Sequence, residues 1–375
     1  MMKKLKIMVL ADFFSSLGGT ENYNYNLISG LKKLGAEIVV CIGERPRQQV
    51  WLKKLQENDI PCYYPKKFHD CLSSREIEKD FFDNDFDDIY QNFYPDIIYV
   101  HPAGKMYVTY MERYPNSNIP VLGTDYTSGS GNTAHWYVPE LPKYINSITA
   151  FVSRCRAETK GLREFHKYTG PIIEIPHLIP SSKNFTDVNN NVLSVGCILR
   201  LSPEKGLGFL LGAWRQIIDE FPCAKLHVYG DGAYYKYYQE LAQCLGIAEN
   251  VFFEGTYTPG EGIDAVASKH KIFVQPSLFE SIPNVLIELL LRKRCIIASD
   301  VGGISEILTP DGTAGVLVPA ASTDAIYNAI KYLFTNQSKI DSLAQHGYQN
   351  AIGMYNYDKN ITEYYNLFCK IVNKK

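Results

Sequence analysis

The sequence predicts an α/β protein in two halves, each a parallel β-sheet covered by helices on both faces. Short apolar runs alternate with amphipathic stretches, the pattern of strands buried on two sides and helices buried on one. The alternation breaks once, over 180–191, where Ser181, Ser182, Lys183 and the run Asn189-Asn190-Asn191 have linker composition, and then restarts. A length of 375 residues is long for one domain and comfortable for two.

In the first half, residues 6–10 form a short apolar strand. The loop Ser15-Ser16-Leu17-Gly18-Gly19-Thr20 leads into an amphipathic helix over 21–34, which Gly35 ends, and the strand 37–42 completes a βαβ unit. Further strands follow at 95–100, 119–123, 149–153 and 172–175. The second half has strands at 192–195, 225–229, 251–254, 272–275, 295–299 and 315–318, with helices at 206–221, 234–245 and 283–291. Residues 322–372 read as helix with breaks near Asn336 and Gly353. The domains are therefore expected at 1–184 and 185–352, with a helical tail, 353–375, packing back on the first. Open α/β sheets bind ligands beyond the carboxyl ends of their strands. If the halves face each other, both rims line one cleft.

Bulk properties exclude several classes. The 38 basic and 40 acidic residues nearly balance, so no nucleic-acid partner is expected. Nine cysteines stand as singletons without a C-x-x-C pair, which reads as reduced, mostly buried thiols in a cytoplasmic protein. The apolar run 7–11 is too short for a secretory core, and nothing approaches the roughly 20 apolar residues that span a bilayer. Arg45, Arg47, Lys53 and Lys54 surround Val50, Trp51, Leu52 and Leu55. This segment either rests on an anionic membrane surface or is a plain surface helix packed on the core.

The chemistry concentrates in the second half. In Gln275-Pro276-Ser277-Leu278-Phe279-Glu280-Ser281-Ile282-Pro283-Asn284-Val285-Leu286-Ile287-Glu288 a strand ends, a loop follows and a helix starts near Pro283. Glu280 and Glu288 stand eight positions apart. The helix start offers backbone N–H groups of Ile282, Asn284 and Val285 to an anion such as a diphosphate. An isolated pair of glutamates would instead cap the helix and face solvent. Upstream, Arg200 and Lys205 in Leu199-Arg200-Leu201-Ser202-Pro203-Glu204-Lys205-Gly206 flank another strand-to-helix turn. They suit neutralising a diphosphate, Arg as a planar fork and Lys as a point charge, or they are a solvated loop. The string Asp83-Asn84-Asp85-Phe86-Asp87-Asp88 contains a D-x-D but sits in an acidic stretch far from these motifs, which reads as a solvated face.

In order and spacing, RLSPEKG, LHVYGDG, VFFEGTY, QPSLFESIPNVLIELL and ASDVGGISEIL resemble the retaining glycosyltransferases of the GT-B fold, family four, also described as glycosyl transferases group 1. The resemblance covers about 190–320, and LGGTENYNYNLISGLKKLGAEIVV resembles the family's first loop and helix. It implies two Rossmann-like domains facing across a cleft. It also implies retaining, metal-independent transfer from a nucleotide-sugar donor, a UDP-hexose or UDP-N-acetylhexosamine, to a glycan or lipid-linked acceptor in cell-surface polysaccharide synthesis. By the same resemblance Glu280 sits beside the transferred sugar, Glu288 holds the ribose, and Arg200 and Lys205 bind the phosphates. Gly18 and Gly19 let the first loop approach the donor, and Gly302, Gly303 and Glu306 complete the donor wall. No cofactor is implied. Where the family has Thr-x-His, this chain reads Thr124-Asp125-Tyr126, which leaves His101, Asp125, Tyr126 and His135 as alternatives on the first-domain side. His177 replaces an asparagine usual in the family and is given no role. An epimerase or phosphorylase of the same architecture, or a non-catalytic sugar binder, is the alternative reading.

Overall fold

A computed structural model describes residues 4–14, 18–46, 49–66, 80–124, 138–180, 193–257, 261–308 and 313–373. The chain forms two compact units: Met1–Leu178 together with Tyr357–Lys375, and Ile179–Asn356. The first boundary lies at 178/179 rather than 184/185, because Ile175 and Leu178 still belong to the first core. The chain re-enters the first unit at Tyr357 rather than at 353.

In the first unit β1 (Lys6–Ala11), β2 (Glu37–Ile42), β3 (Cys62–Tyr63), β4 (Ile97–Val100), β5 (Val121–Thr124), β6 (Ala150–Ser153) and β7 (Ile172–Glu174) form one parallel sheet. Its order is β3-β2-β1-β4-β5-β6-β7. Side chains alternate between the two faces. Ile7, Val9 and Ala11 therefore enter one core, while Met8 and Leu10 enter the other. That is why β1 reads as a continuous apolar run rather than an alternating one. Helix α1 (Gly19–Lys33) covers the first of these cores with Tyr23, Leu27, Ile28 and Leu31.

The second unit repeats the plan with β8 (Ser194–Ile198), β9 (Lys225–Tyr229), β10 (Val251–Gly255), β11 (Ile272–Gln275), β12 (Cys295–Ser299) and β13 (Val316–Val318), ordered β10-β9-β8-β11-β12-β13 and parallel throughout. Helix α2 (Leu207–Glu220) buries Leu207, Leu210, Leu211, Trp214 and Ile217 against Val195, Leu226 and Ile272. Each such side chain contributes roughly 1.5–3 kcal/mol through its removal from water. Helix α3 (Asn284–Leu290) follows β11, and α4 (Thr323–Thr335) is capped by Ser322, whose Oγ accepts from Ala325 N at 3.3 Å. Helix α5 (Gln337–Met354) completes the unit, and α6 (Tyr357–Val372) returns to the first core with Ile361, Tyr364, Phe368 and Ile371.

Of the nine cysteines, the eight described carry free thiols; four are buried, and Cys223 and Cys244 are exposed. Among the described residues no helix is long and apolar enough to cross a membrane. Trp51 and Leu55 are fully buried and Val50 and Leu52 half-buried, so the apolar stripe of the basic 45–55 segment packs largely on the core. In the D-x-D string Asp83 pairs with Arg113 Nη1 at 3.0 Å, and Asp87 accepts from Arg113 Nε at 3.1 Å, so an arginine holds the acidic stretch.

Candidate functional site

In the second sheet the chain runs from β8 outward through β9 and β10, then crosses over β8 to β11. The strand order thus reverses between β8 and β11, and a crevice opens beyond the carboxyl ends of such neighbours. Arg200, Lys205 and Glu280 all lie on the loops that leave these two strands.

The loop after β8 is anchored at alternate residues. Leu199 N donates to Tyr229 O and Leu201 N to Asp231 O, both at 3.0 Å, and both leucines are buried. Arg200, between them, is therefore turned outward and exposed, and among the described residues it has no ion-pair partner. A 3₁₀ turn, Pro203–Lys205, then ends on Gly206 at φ +68°. A Cβ there would lie 2.1 Å from Pro276 O, so only glycine lets the two loops touch. Leu278 N closes the contact by donating to Glu204 O at 2.9 Å.

A third loop joins from β12. Gly302, at φ +57°, would place a Cβ 1.8 Å from Glu280 O, and Gly303 N donates to Ser281 O at 2.7 Å. Both glycines pack on the backbone of the Glu280 loop, and Glu306 follows, half-buried, in the short helix Ile304–Ile307.

At the meeting point Lys205 Nζ donates to Glu280 Oε1 at 2.6 Å. Ser277 Oγ donates to the same oxygen at 2.8 Å, and Gln275 Nε2 reaches it at 3.4 Å. Glu280 is therefore not a helix cap. Pro283, in extended backbone, occupies the N-cap position of α3 without a side-chain cap bond, one residue earlier in the helix frame than expected. Ile282 is buried, and Asn284 and Val285 are half-buried in the first turn. Glu288 is buried, not solvent-facing. Its carbonyl accepts from Arg292 Nη1 at 2.7 Å, and Arg292 is ion-paired through Nε with Asp264. Burial, and after it the Glu288 carboxylate, pushes the Tyr257 phenol up, with Arg292 opposing. Gln275, Ser277 and Tyr257 are contributors that the sequence reading passed over. The signal for Ser277 was its place as a small polar residue three positions before Glu280, and Tyr257 carried none.

Residues 190–336 match the family described as Glycosyl transferases group 1. The second unit is a group 1 glycosyltransferase domain. Over 154 residues, 41% of this chain and 39% of the relative, the sequence is 26% identical to alpha-D-kanosaminyltransferase of Streptomyces kanamyceticus. The match thus spans about two fifths of that relative's length. In fold, 99% of the chain superposes on all of sucrose-phosphate synthase from Thermosynechococcus elongatus, with a TM-score of 0.82 and 17% identity. It also superposes on HepE from Anabaena, solved in complex with UDP-glucose, with a TM-score of 0.77, 16% identity and 96% and 98% coverage. These likenesses establish the GT-B fold, with its two Rossmann-like domains, for the whole chain.

Outside the glycosyltransferase domain the expected first-unit residues fare differently. Gly18 is the N-cap of α1 in extended backbone, and Gly19 is its first helical residue. His101 follows β4 but is fully buried, with Nδ1 hydrogen-bonded to Thr124 Oγ1. Burial, then Arg154 and His177, hold its pKa well below the ordinary imidazole value, so it is a neutral core residue and no surface acid or base. His177 is likewise fully buried, 3.4 Å from Arg154 Nη1. Asp125, Tyr126 and His135 lie outside the described residues.

A carboxylate that the sequence reading did not single out occupies the corresponding point of the first sheet, where the order reverses between β1 and β4. Asp12, just past β1, accepts from Lys105 N at 2.9 Å and Met106 N at 2.8 Å, capping the helix Lys105–Arg113 from outside it. Burial pushes its carboxyl up to about 6 against the lowering effect of those two bonds.

Proposed function

We propose that this chain transfers a sugar from a nucleoside diphosphate donor to a glycan or lipid-linked acceptor, with retention at the anomeric carbon and without a metal. The observation that carries the reading is the Lys205–Glu280 contact at the confluence of the three loops, with Arg200 exposed on the same rim. Cleaving a sugar–phosphate bond places negative charge on the leaving diphosphate and positive character on the sugar. Arg200 and Lys205 would take the first, and the Glu280 carboxylate would face the second and the sugar hydroxyls. Glu288, in the second turn of α3, would take the ribose hydroxyls. Two cations supply the neutralisation that a metal supplies elsewhere, so no metal is needed in this scheme. A uridine-linked hexose or N-acetylhexosamine is the donor class we favour. Support for it comes from HepE, a protein of the same fold whose crystals held UDP-glucose.

The test is a screen of nucleotide sugars by thermal stabilisation and donor hydrolysis, followed by variants. A donor present at about 100 times its dissociation constant adds about 2.7 kcal/mol of stability. Lys205→Ala and Glu280→Ala should each lower turnover about 10²–10³-fold while the protein stays folded, and turnover should survive EDTA. Near-normal turnover in both variants would remove the mechanism, and strict dependence on Mn²⁺ or Mg²⁺ would remove its metal-free form.

A further inference from the structure

We propose that Gln275 and Ser277 are positioning residues that lock Glu280 through one carboxylate oxygen and leave the other as the single acceptor for a hydroxyl of the donor sugar. The proposal rests on the donor reading above and concerns how that site recognises sugar as opposed to nucleotide.

All the hydrogen bonds to the Glu280 carboxylate from described residues converge on Oε1. Lys205 Nζ is at 2.6 Å, Ser277 Oγ at 2.8 Å and Gln275 Nε2 at 3.4 Å. Gln275 Nε2 also donates to Ser277 Oγ at 2.8 Å, so the serine accepts from the amide and passes its own proton toward the carboxylate. The relay has a consistent direction and fills the acceptor capacity of Oε1. Among the described residues Oε2 accepts from none, and the Glu280 side chain is 10% exposed where the loops after β8, β11 and β12 meet. An ionised carboxylate can only accept, so Oε2 selects a ligand that donates, such as a sugar hydroxyl.

The neutral pair has a task that Lys205 cannot perform. Lys205 sits on a flexible stem, is 21% exposed, and is the cation we assign to the diphosphate. When the phosphate draws the ammonium, Glu280 loses its strongest partner. Gln275 and Ser277 are 3% and 0% exposed, at the end of β11 and just beyond it. Groups fixed on a rigid element keep a carboxylate in register when a mobile partner leaves. Gln275 and Ser277 therefore act through Glu280 and do not themselves touch the donor.

The test compares the binding of a nucleotide with that of its sugar conjugate by calorimetry. The probes are UDP, GDP and ADP, each alone and as the glucose conjugate, titrated into wild type, Ser277→Ala and Gln275→Leu. With the nucleotide the wild type recognises, both variants should bind the free diphosphate within about twofold of wild type. The glucose conjugate should weaken about tenfold, the loss of one well-placed hydrogen bond to a charged group. Conjugate binding unchanged in both variants would overturn the assignment and leave the donor reading intact. Equal losses for diphosphate and conjugate would also overturn it, by showing a general structural role. A wild type that binds none of the three conjugates would overturn the donor reading and this assignment with it.

Discussion

Asp12 and Glu280 are both carboxylates beyond the carboxyl end of a strand, yet their surroundings set them to different work. Glu280 is met by an ammonium and a hydroxyl and stays at the rim. Asp12 is met by two backbone amides and is driven toward its neutral form by burial. The consequence is a pH dependence of defined sign. Its folded pKa, about 6, lies above the ordinary 3.8, so the folded chain holds a proton there that the unfolded chain releases. Its contribution to stability is complete below the unfolded value and is lost as pH rises through 6. The stability of wild type relative to Asp12→Asn should therefore fall between pH 4 and 6 and be flat above 7. Urea unfolding across that range checks it, and a difference that rises with pH would contradict the burial argument. Asp12 was invisible beforehand because nothing in Ala11-Asp12-Phe13 shows which helix start it will face 93 residues later. Arg200, by contrast, could be read directly, since its outward turn follows from alternation between two leucines that must be buried.

Among the elements, the strands were the most legible. Parallel strands covered on both faces are apolar at most positions, and β2, β9, β11 and β12 lie at their expected bounds, whatever the loops do. β8 was placed too early because the polar linker runs straight into it, and β3, with only two residues, has no pattern to read. Helix α6 shows what a sequence pattern leaves open. Its apolar residues announce one buried face, but not which residues of the first core receive it. In the structure Ile361, Tyr364, Phe368 and Ile371 pack with Val9, Val40 and Tyr99, and Tyr357 Oη donates to Asn26 O at 2.7 Å. The helix is thus an integral part of the first unit's core. Phe368→Ala should cost about 3–5 kcal/mol, the cavity penalty for a fully buried aromatic, read as a lowered denaturation midpoint for the first unit. A loss below about 1 kcal/mol would mean that the helix is loosely attached. The contact between the loops after β8, β11 and β12 was legible only as glycine positions. That Gly206 and Gly302 serve loop-on-loop packing follows from the approach of Pro276 O and Glu280 O, which no spacing in the sequence encodes.

At the scale of the whole molecule, each unit is an open parallel sheet whose strand order reverses once, and each carries its polar rim at that reversal. Within the second unit the reversal brings together two segments about 75 residues apart in sequence, from which Lys205 meets Glu280. The family resemblance pointed to those residues, and the topology supplies the reason they meet. In the first unit the resemblance ran out. His101 is buried in the core, and Asp125, Tyr126 and His135 lie outside the described residues, so the acceptor side carries no assignment. The account as a whole stands on the claim that the second unit holds a nucleotide sugar by its pyrophosphate at the β8–β11 reversal. The most direct measurement is a crystal structure after soaking with UDP-glucose. The account predicts pyrophosphate density within hydrogen-bonding reach of Arg200 and Lys205, with a sugar hydroxyl on Glu280 Oε2; a nucleotide sugar bound away from these three residues would contradict it.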